Sequence, residues 1–252
     1  MTLRTLAKER NNKMLIDMHA HSSGISGCCR QPAEKIIEIN KSVGIDGMVL
    51  TNHYQKSYVK NDDASEFARR YVDEYHYAQK CGEELGFKVF FGVEVTMAKH
   101  ENVHLLVYGI DEDFVMRYPD MYDYTQEELY RIVKEYGGAL IQAHPMRKGK
   151  NVLLDLDYLD GVEINSHQIY DETHLKELSE IARQRGHIIT SGGDYHADAP
   201  RPVCGAYLPE DIKSHEIGKY LCETPNIKIR YQEPRETISY TAEYDRNVGL
   251  VT

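Results

Sequence analysis

Seven short apolar runs punctuate the chain between Met14 and Thr190, and most are followed by a segment with helical spacing. The runs are Met14 to Met18, Gly47 to Thr51, Phe87 to Val93, Val103 to Tyr108, Ala139 to Ala143, Gly161 to Ile164 and His187 to Thr190. Between them lie Pro32 to Val43, with proline in the first turn and Gly44 just past the end, and the long polar-faced Ala64 to Leu85, closed by Gly86. Thr125 to Tyr136 opens with Thr125 three residues before Glu128, the spacing of a capping box. Glu172 to Arg185 and Asp211 to Cys222 complete the set of helices. This rhythm of strand and helix predicts an α/β fold with a parallel sheet or barrel. At 252 residues the chain suits one barrel-type domain. The expectation is a single domain over 1–252, with a core at about 14–224. A C-terminal tail, 225–252, is expected to carry one strand at Ile227 to Tyr231 and then a polar ending.

The polar residues fall in a pattern on that map. His19 and His21 follow the first strand, His53 the second, Glu94 the third and His144 the fifth. His104 opens the fourth strand, Glu163 and Asn165 end the sixth, and Asp194 and His196 follow the seventh. In an α/β barrel the carboxyl ends of the strands converge on one face, where residues distant in sequence meet. His19/His21 and Asp194/His196 are spaced i, i+2, which in extended chain puts both side chains on one side. One His-x-His is weak evidence of anything. Six histidines and two acids at the ends of seven strands point to a divalent-metal centre, which needs such a convergence of imidazole nitrogens and carboxylate oxygens.

Composition narrows the partners. Lys and Arg number 30 against 40 Asp and Glu, for a net charge of −10. Such a surface does not hold long nucleic acids or anionic membranes. It does not exclude one phosphate drawn to bound cations, which reverse the local sign. No apolar run approaches the roughly 18 residues of a membrane span, and the polar stretch Met1 to Lys13 lacks the apolar core of a signal peptide. The five cysteines are an odd count, and free thiols are expected in a cytoplasmic protein. Nothing in the sequence sets an oligomeric state.

Seven segments together resemble the PHP (polymerase and histidinol phosphatase) family. They are Asp17-Met18-His19-Ala20-His21, Thr51-Asn52-His53, Gly92-Val93-Glu94, the run from His104 to Gly109, Ala143-His144-Pro145, the run from Gly161 to Asn165, and Gly193-Asp194-Tyr195-His196. They occur in the family's order. The resemblance implies a distorted (β/α)7 TIM-like barrel. It also implies two or three divalent metal ions, of zinc, manganese or iron, that hydrolyse a small phosphate monoester through a metal-bridging hydroxide, as in histidinol phosphatases. Carried over, His19, His21 and Asp194 would hold a first metal. Glu94 would bridge it to a second, completed by His104 and His144, and His53 and His196 would hold a third. Asp17 would orient a ligand imidazole from behind. The partners implied are a small phosphorylated metabolite and, as product, phosphate.

Two positions depart from the family pattern. Ser26 or Gly27 stands where an acid or histidine usually serves the third metal, so that site is weak, completed by water, or served by Cys28 or Cys29. Asn52 stands where the family often has Asp. Arg147 and Arg201, in loops after His144 and His196, are candidate catalytic residues for the substrate phosphate, with Arg30 a third candidate. His167 is placed to touch substrate or to sit on the surface. Tyr54 and Tyr195 flank ligands and are candidate pocket residues. Two other readings stay open. One is an amidohydrolase-like metal hydrolase of a non-phosphate substrate, and the other is a non-catalytic metal-binding PHP module.

Overall fold

The structure is a computed structural model, and it describes residues 12–61, 63–100, 102–147 and 152–251. All ten candidate site residues fall within these ranges. The first strand, β1 (Lys13–Ala20), leads through α1 (Ala33–Ser42) to β2 (Gly47–Leu50) and the two-residue β3 (His53–Tyr54). After α2 (Ala64–Leu85) come β4 (Lys88–Phe91), β5 (Val93–Thr96) and β6 (His104–Tyr108). Then follow α3 (Glu112–Arg117), α4 (Gln126–Glu135), β7 (Ala139–Gln142), β8 (Gly161–Asn165), α5 (Leu175–Gln184) and β9 (Ile188–Gly192). The chain ends in β10 (Gly205–Pro209), α6 (Ile217–Glu223), β11 (Asn226–Tyr231), β12 (Tyr240–Asp245) and β13 (Gly249–Val251). Asp63 caps α2 by accepting from Glu66 N, and both bonds of the Thr125–Glu128 capping box are made at the start of α4.

The strands form two sheets, one in the order β13-β12-β11-β10-β1-β2-β4 and the other β3-β5-β6-β7-β8-β9. The expected α/β class is present, but among the described residues the ladders do not close into one continuous barrel. The chain instead passes from the first sheet to the second at two neighbouring points. Thr51 and Asn52 separate β2 from β3, and Gly92 alone separates β4 from β5. The run Phe87 to Val93, expected as one strand, is therefore two. A Cβ on Gly92 would lie 2.5 Å from Val49 Cγ1, so no side chain fits at this crossing. On the far side the sheets touch where Ala20 bridges Tyr195 and Asp194 N donates to His19 O.

Alternation along the strands divides the core. Leu15, Met48, Leu50, Leu105 and Val107 pack with the helices, whereas Ile16, Met18, Val49, Leu106 and Tyr108 pack with Ile141, Val162, Ile164 and Ile189. Burial on both faces is why these strands read as continuous apolar runs. β6 runs antiparallel to both β5 and β7. That reversal brings His104, at the start of its strand, to the same end as residues that finish theirs.

Elsewhere the sequence expectation needs correction. α3, β10, β12 and β13 were not anticipated, and the tail holds three strands rather than one. β12 (YTAEYD) is largely polar and half of its residues are exposed, so it carries no apolar signal of its own. It forms because β11 offers it a six-residue antiparallel register. The expected helix Asp211 to Cys222 is shorter, Ile217–Glu223, after a 3-10 turn at Ser214–Glu216. The helix expected from Glu172 starts at Leu175, with His174 in the left-handed region before it.

Candidate metal centre

His19, His21, His53, Glu94, His104, His144, Asp194 and His196 come together at the end of the strands where the two sheets meet. Glu94 lies in the middle and is fully buried. Its Oε1 sits 2.7 Å from His104 Nδ1 and 3.3 Å from His144 Nε2. Its Oε2 sits 2.7 Å from His53 Nδ1, 3.4 Å from His19 Nε2 and 3.3 Å from His21 Nε2. Asp194 Oδ1 completes that side, 3.5 Å from His19 Nε2, 3.2 Å from His21 Nε2 and 3.3 Å from His196 Nε2. His144 and Asp194 both hold positive φ angles, 30° and 46°, a backbone cost that clusters at functional sites.

The hydrogen bonds behind the rings fix which nitrogens face inward. His19 Nδ1 lies 2.9 Å from Glu163 Oε1, and a carboxylate only accepts, so Nδ1 carries the proton. His21 Nδ1 lies 3.1 Å from Ser26 Oγ, whose own proton goes to Asn52 Oδ1 at 2.8 Å, so this Nδ1 also donates. In the neutral rings both Nε2 lone pairs then point at each other across 3.0 Å. Bonds of about 2.1 Å at tetrahedral angles would separate ligand atoms by roughly 3.4 Å. The separations among His19 Nε2, His21 Nε2, Glu94 Oε2 and Asp194 Oδ1 match that spacing. His53 Nδ1, Glu94 Oε2 and His196 Nε2 are buried with no well-formed hydrogen bond, as expected of atoms meant for a cation. The donor set therefore fits divalent metals.

The electrostatics agree. Burial works against ionising Glu94, yet His53, His19 and His104 hold its carboxyl well below the usual range. Burial opposes ionising Asp194 too, and His19 and His196 outweigh it. Burial likewise disfavours charge on His19 and His53, but Glu163 and Glu94 raise the first well above normal, and Glu94 and Cys28 raise the second to about 10. Burial keeps His21 well below its ordinary value and lowers His104. Without metal, protons shared among the imidazoles supply the positive charge that cations would otherwise bring.

Four residues take roles that the sequence did not assign to them. Glu163 orients His19, and its Oε2 also accepts from His144 N and Asn165 Nδ2. Asp17, expected to orient an imidazole, instead accepts from the backbone N–H groups of His19 and Gly193. Ser26 is no ligand but ties His21 Nδ1 to Asn52 and accepts from His53 N. Tyr170, in a loop with no sequence signal, donates to Asp194 Oδ2 at 3.0 Å. Glu163→Gln should weaken metal binding by about 10 to 100-fold in a competitive chelator titration, because an amide can present a donor to His19 Nδ1 and reverse its tautomer. Unchanged affinity would show that Glu163 does not set that ring.

Arg147 is half-buried and lines a cavity of about 170 Å³ with His144, Glu163, Asn165 and Tyr170. Arg201 requires correction. Its guanidinium is buried away from the cluster, paired with Asp17 Oδ2, donating from Nε to Asn40 Oδ1 and lying over the Tyr195 ring. Arg30 is exposed, with its N–H on His196 O. Tyr54 is core, donating to Pro119 O.

The two cysteines separate. Cys29 is buried, its thiol on the carbonyls of His21 and Gln31, and burial pushes it up to about 11. Cys28 is exposed, and although partial burial of its sulfur opposes ionisation, His196 and His53 bring it down to about 7. At pH 8 those values imply a thiolate fraction at Cys28 about 10³-fold larger. Iodoacetamide should therefore alkylate Cys28 of the metal-free protein well before Cys29, as read by peptide mass spectrometry. Equal labelling would contradict this arrangement.

No family model and no curated protein matches this chain. Solved structures do. A two-domain protein from Bacteroides vulgatus ATCC 8482, named as containing a predicted PHP-like metal-dependent phosphoesterase, superposes with a TM-score of 0.59 at 12% identity, over 95% of this chain and 87% of that one. PsfC from Pseudomonas syringae gives 0.54 at 18%, over 81% and 85%. An amidohydrolase from Chromobacterium violaceum, solved with bound sulfate and no metal, gives 0.51 at 17%, over 74% and 90%. The chain has the fold shared by these PHP-like phosphoesterase and amidohydrolase structures.

Proposed function

We propose that this protein is a metal-dependent phosphoesterase that hydrolyses a small phosphate monoester, and that its two sheets form an opened version of the distorted seven-stranded barrel. The observation that carries the reading is the arrangement around Glu94. One carboxylate oxygen faces His19, His21 and Asp194, and the other faces His104 and His144. Two such sets joined by one carboxylate suit a pair of divalent ions, of zinc, manganese or iron. His21, His53 and His196, whose ligand atoms lie within 4.8 Å of one another, suit a third. Bound metals would supply a nucleophile at neutral pH and offset charge on the phosphoryl oxygens. The chain's own residues do the rest. Glu163 and Ser26 hold two imidazoles in the required tautomer, Tyr170 steadies Asp194, and Arg147 borders the cavity where a phosphate would enter.

The rival amidohydrolase reading is weakened by the residues at the centre. Such barrels often use a carboxylated lysine, and among the described residues no lysine is buried. A screen of purified protein loaded with Mn²⁺, Zn²⁺ or Fe²⁺ against small phosphorylated metabolites should reveal turnover with release of phosphate. Cleavage of a lactone or amide but of no phosphate monoester would favour the amidohydrolase. Fewer than two metals per chain and no turnover of an aryl phosphate would favour a non-catalytic module.

A further inference from the structure

His167 follows β8 in the series Glu163, Asn165, His167. Its residue is only 1% exposed, so it is not a surface-loop histidine. The loop clamps it. Its N–H donates to Asn165 Oδ1 at 2.9 Å, its carbonyl accepts from Tyr170 N at 3.1 Å, and its ring Nδ1 accepts from Ile169 N at 3.2 Å. A neutral imidazole that accepts at Nδ1 carries its proton on Nε2. That Nε2–H is buried and has no hydrogen-bond acceptor among the described residues. Asp198 Oδ1 lies 3.5 Å away without forming a bond, and the His196 ring lies 5.6 Å away, centre to centre. A fixed donor therefore lies beside His196, at the edge of the centre.

The ligand atoms of His167, His196 and Asp198 lie within 4.8 Å of one another, which is also the spacing of a metal site. The tautomer argues against that use. A metal would need the Nε2 lone pair while Nδ1 still accepts from Ile169, and an imidazole with both nitrogens bare is an anion. We propose that His167 is a substrate-binding residue, whose Nε2–H donates to an anionic phosphoryl oxygen of the substrate beside His196. This rests on the phosphoesterase reading above. A donor already aimed, in a site shielded from water, forms a stronger bond to a phosphate oxygen than a solvated one.

The test compares His167→Phe, which keeps a ring but no donor, with His167→Gln, whose amide N–H reaches near the position of Nε2. Both are measured as metal-loaded protein. The Phe variant should lose roughly 10²-fold in kcat/KM and roughly tenfold or more in calorimetric affinity for inorganic phosphate, with metal content per chain unchanged. The Gln variant should recover most of both. Wild-type values in the Phe variant overturn the proposal, and so does loss of a metal, which would make His167 a ligand. If Gln fares no better than Phe, the ring serves by shape and the donor role fails. Wild-type protein that neither cleaves a phosphate monoester nor binds phosphate removes the functional reading itself. Wild-type protein that does both, matched by the Phe variant, removes only this proposal.

Discussion

Glu94→Gln is expected to lower kcat by on the order of 10³-fold or more and to reduce bound metal by about two ions per chain, with the circular dichroism of the folded protein preserved. The carboxylate faces both ligand sets at close range, with His104 and His144 on one oxygen and His19, His21 and His53 on the other. An amide keeps the shape but removes the charge, and it turns one acceptor into a donor that faces imidazole nitrogens. Metal content by mass spectrometry and single-turnover kinetics check the two halves separately. Wild-type turnover in this variant would end the bridging assignment. The metal-free protein offers an independent readout. Glu94 is the largest influence raising His53 to about 10 against burial, so the His53 pKa should fall in the variant. A raised folded value stabilises below the unfolded one, so this contribution is complete below about pH 6.5 and is lost as pH rises through about 10. In Glu94→Gln that alkaline loss should shrink and move to lower pH.

Arg201→Met is expected to cost about 3–5 kcal/mol of stability, because it strands Asp17 as an unpaired buried carboxylate. Urea unfolding of the metal-free protein measures this. Asp17 is wholly buried, and the Arg201 side chain is only 3% exposed. Burial raises the Asp17 pKa despite the opposing guanidinium, a sign of how much this pair depends on both members. Combining Asp17→Asn with Arg201→Met should cost less than the sum of the single changes, since no lone charge then remains inside. The alternative, an arginine that binds substrate, predicts a raised KM and unchanged stability. That result would restore the role suggested by its place five residues after His196. The structure instead gives Arg201 a positioning task. It holds Asp17, which holds the backbone N–H groups of His19 and Gly193.

Much of the centre was legible in the chain because its signals are local. Strand ends are marked by where apolar runs stop, and an i, i+2 pair in extended chain must share a face, so His19 with His21 could be placed without a fold. The antiparallel course of β6 was not legible, yet His104 was still found, because its histidine sits at a strand boundary whichever way the strand runs. Arg147 and Arg201 occupy similar loops after a histidine, and sequence could not separate them. Burial against Asp17 and Asn40 distinguishes the second, and those partners lie more than 160 residues away.

By itself, then, the sequence determined the α/β class, the strand ends and the eight residues that converge on one another, since each depends on neighbours within a few positions. Tertiary structure alone decided the rest. It broke the long strand at Gly92, kept the ladders from closing among the described residues, and added β12 to an edge that β11 supplied. It also chose Glu163 over Asp17 as the partner of the His19 ring, and turned Cys28 toward the histidines while Cys29 faced away. Each of these depends on which buried donor meets which acceptor across the fold. An unpaired polar group inside a protein is costly, so those pairings are settled by packing rather than by any single stretch of chain.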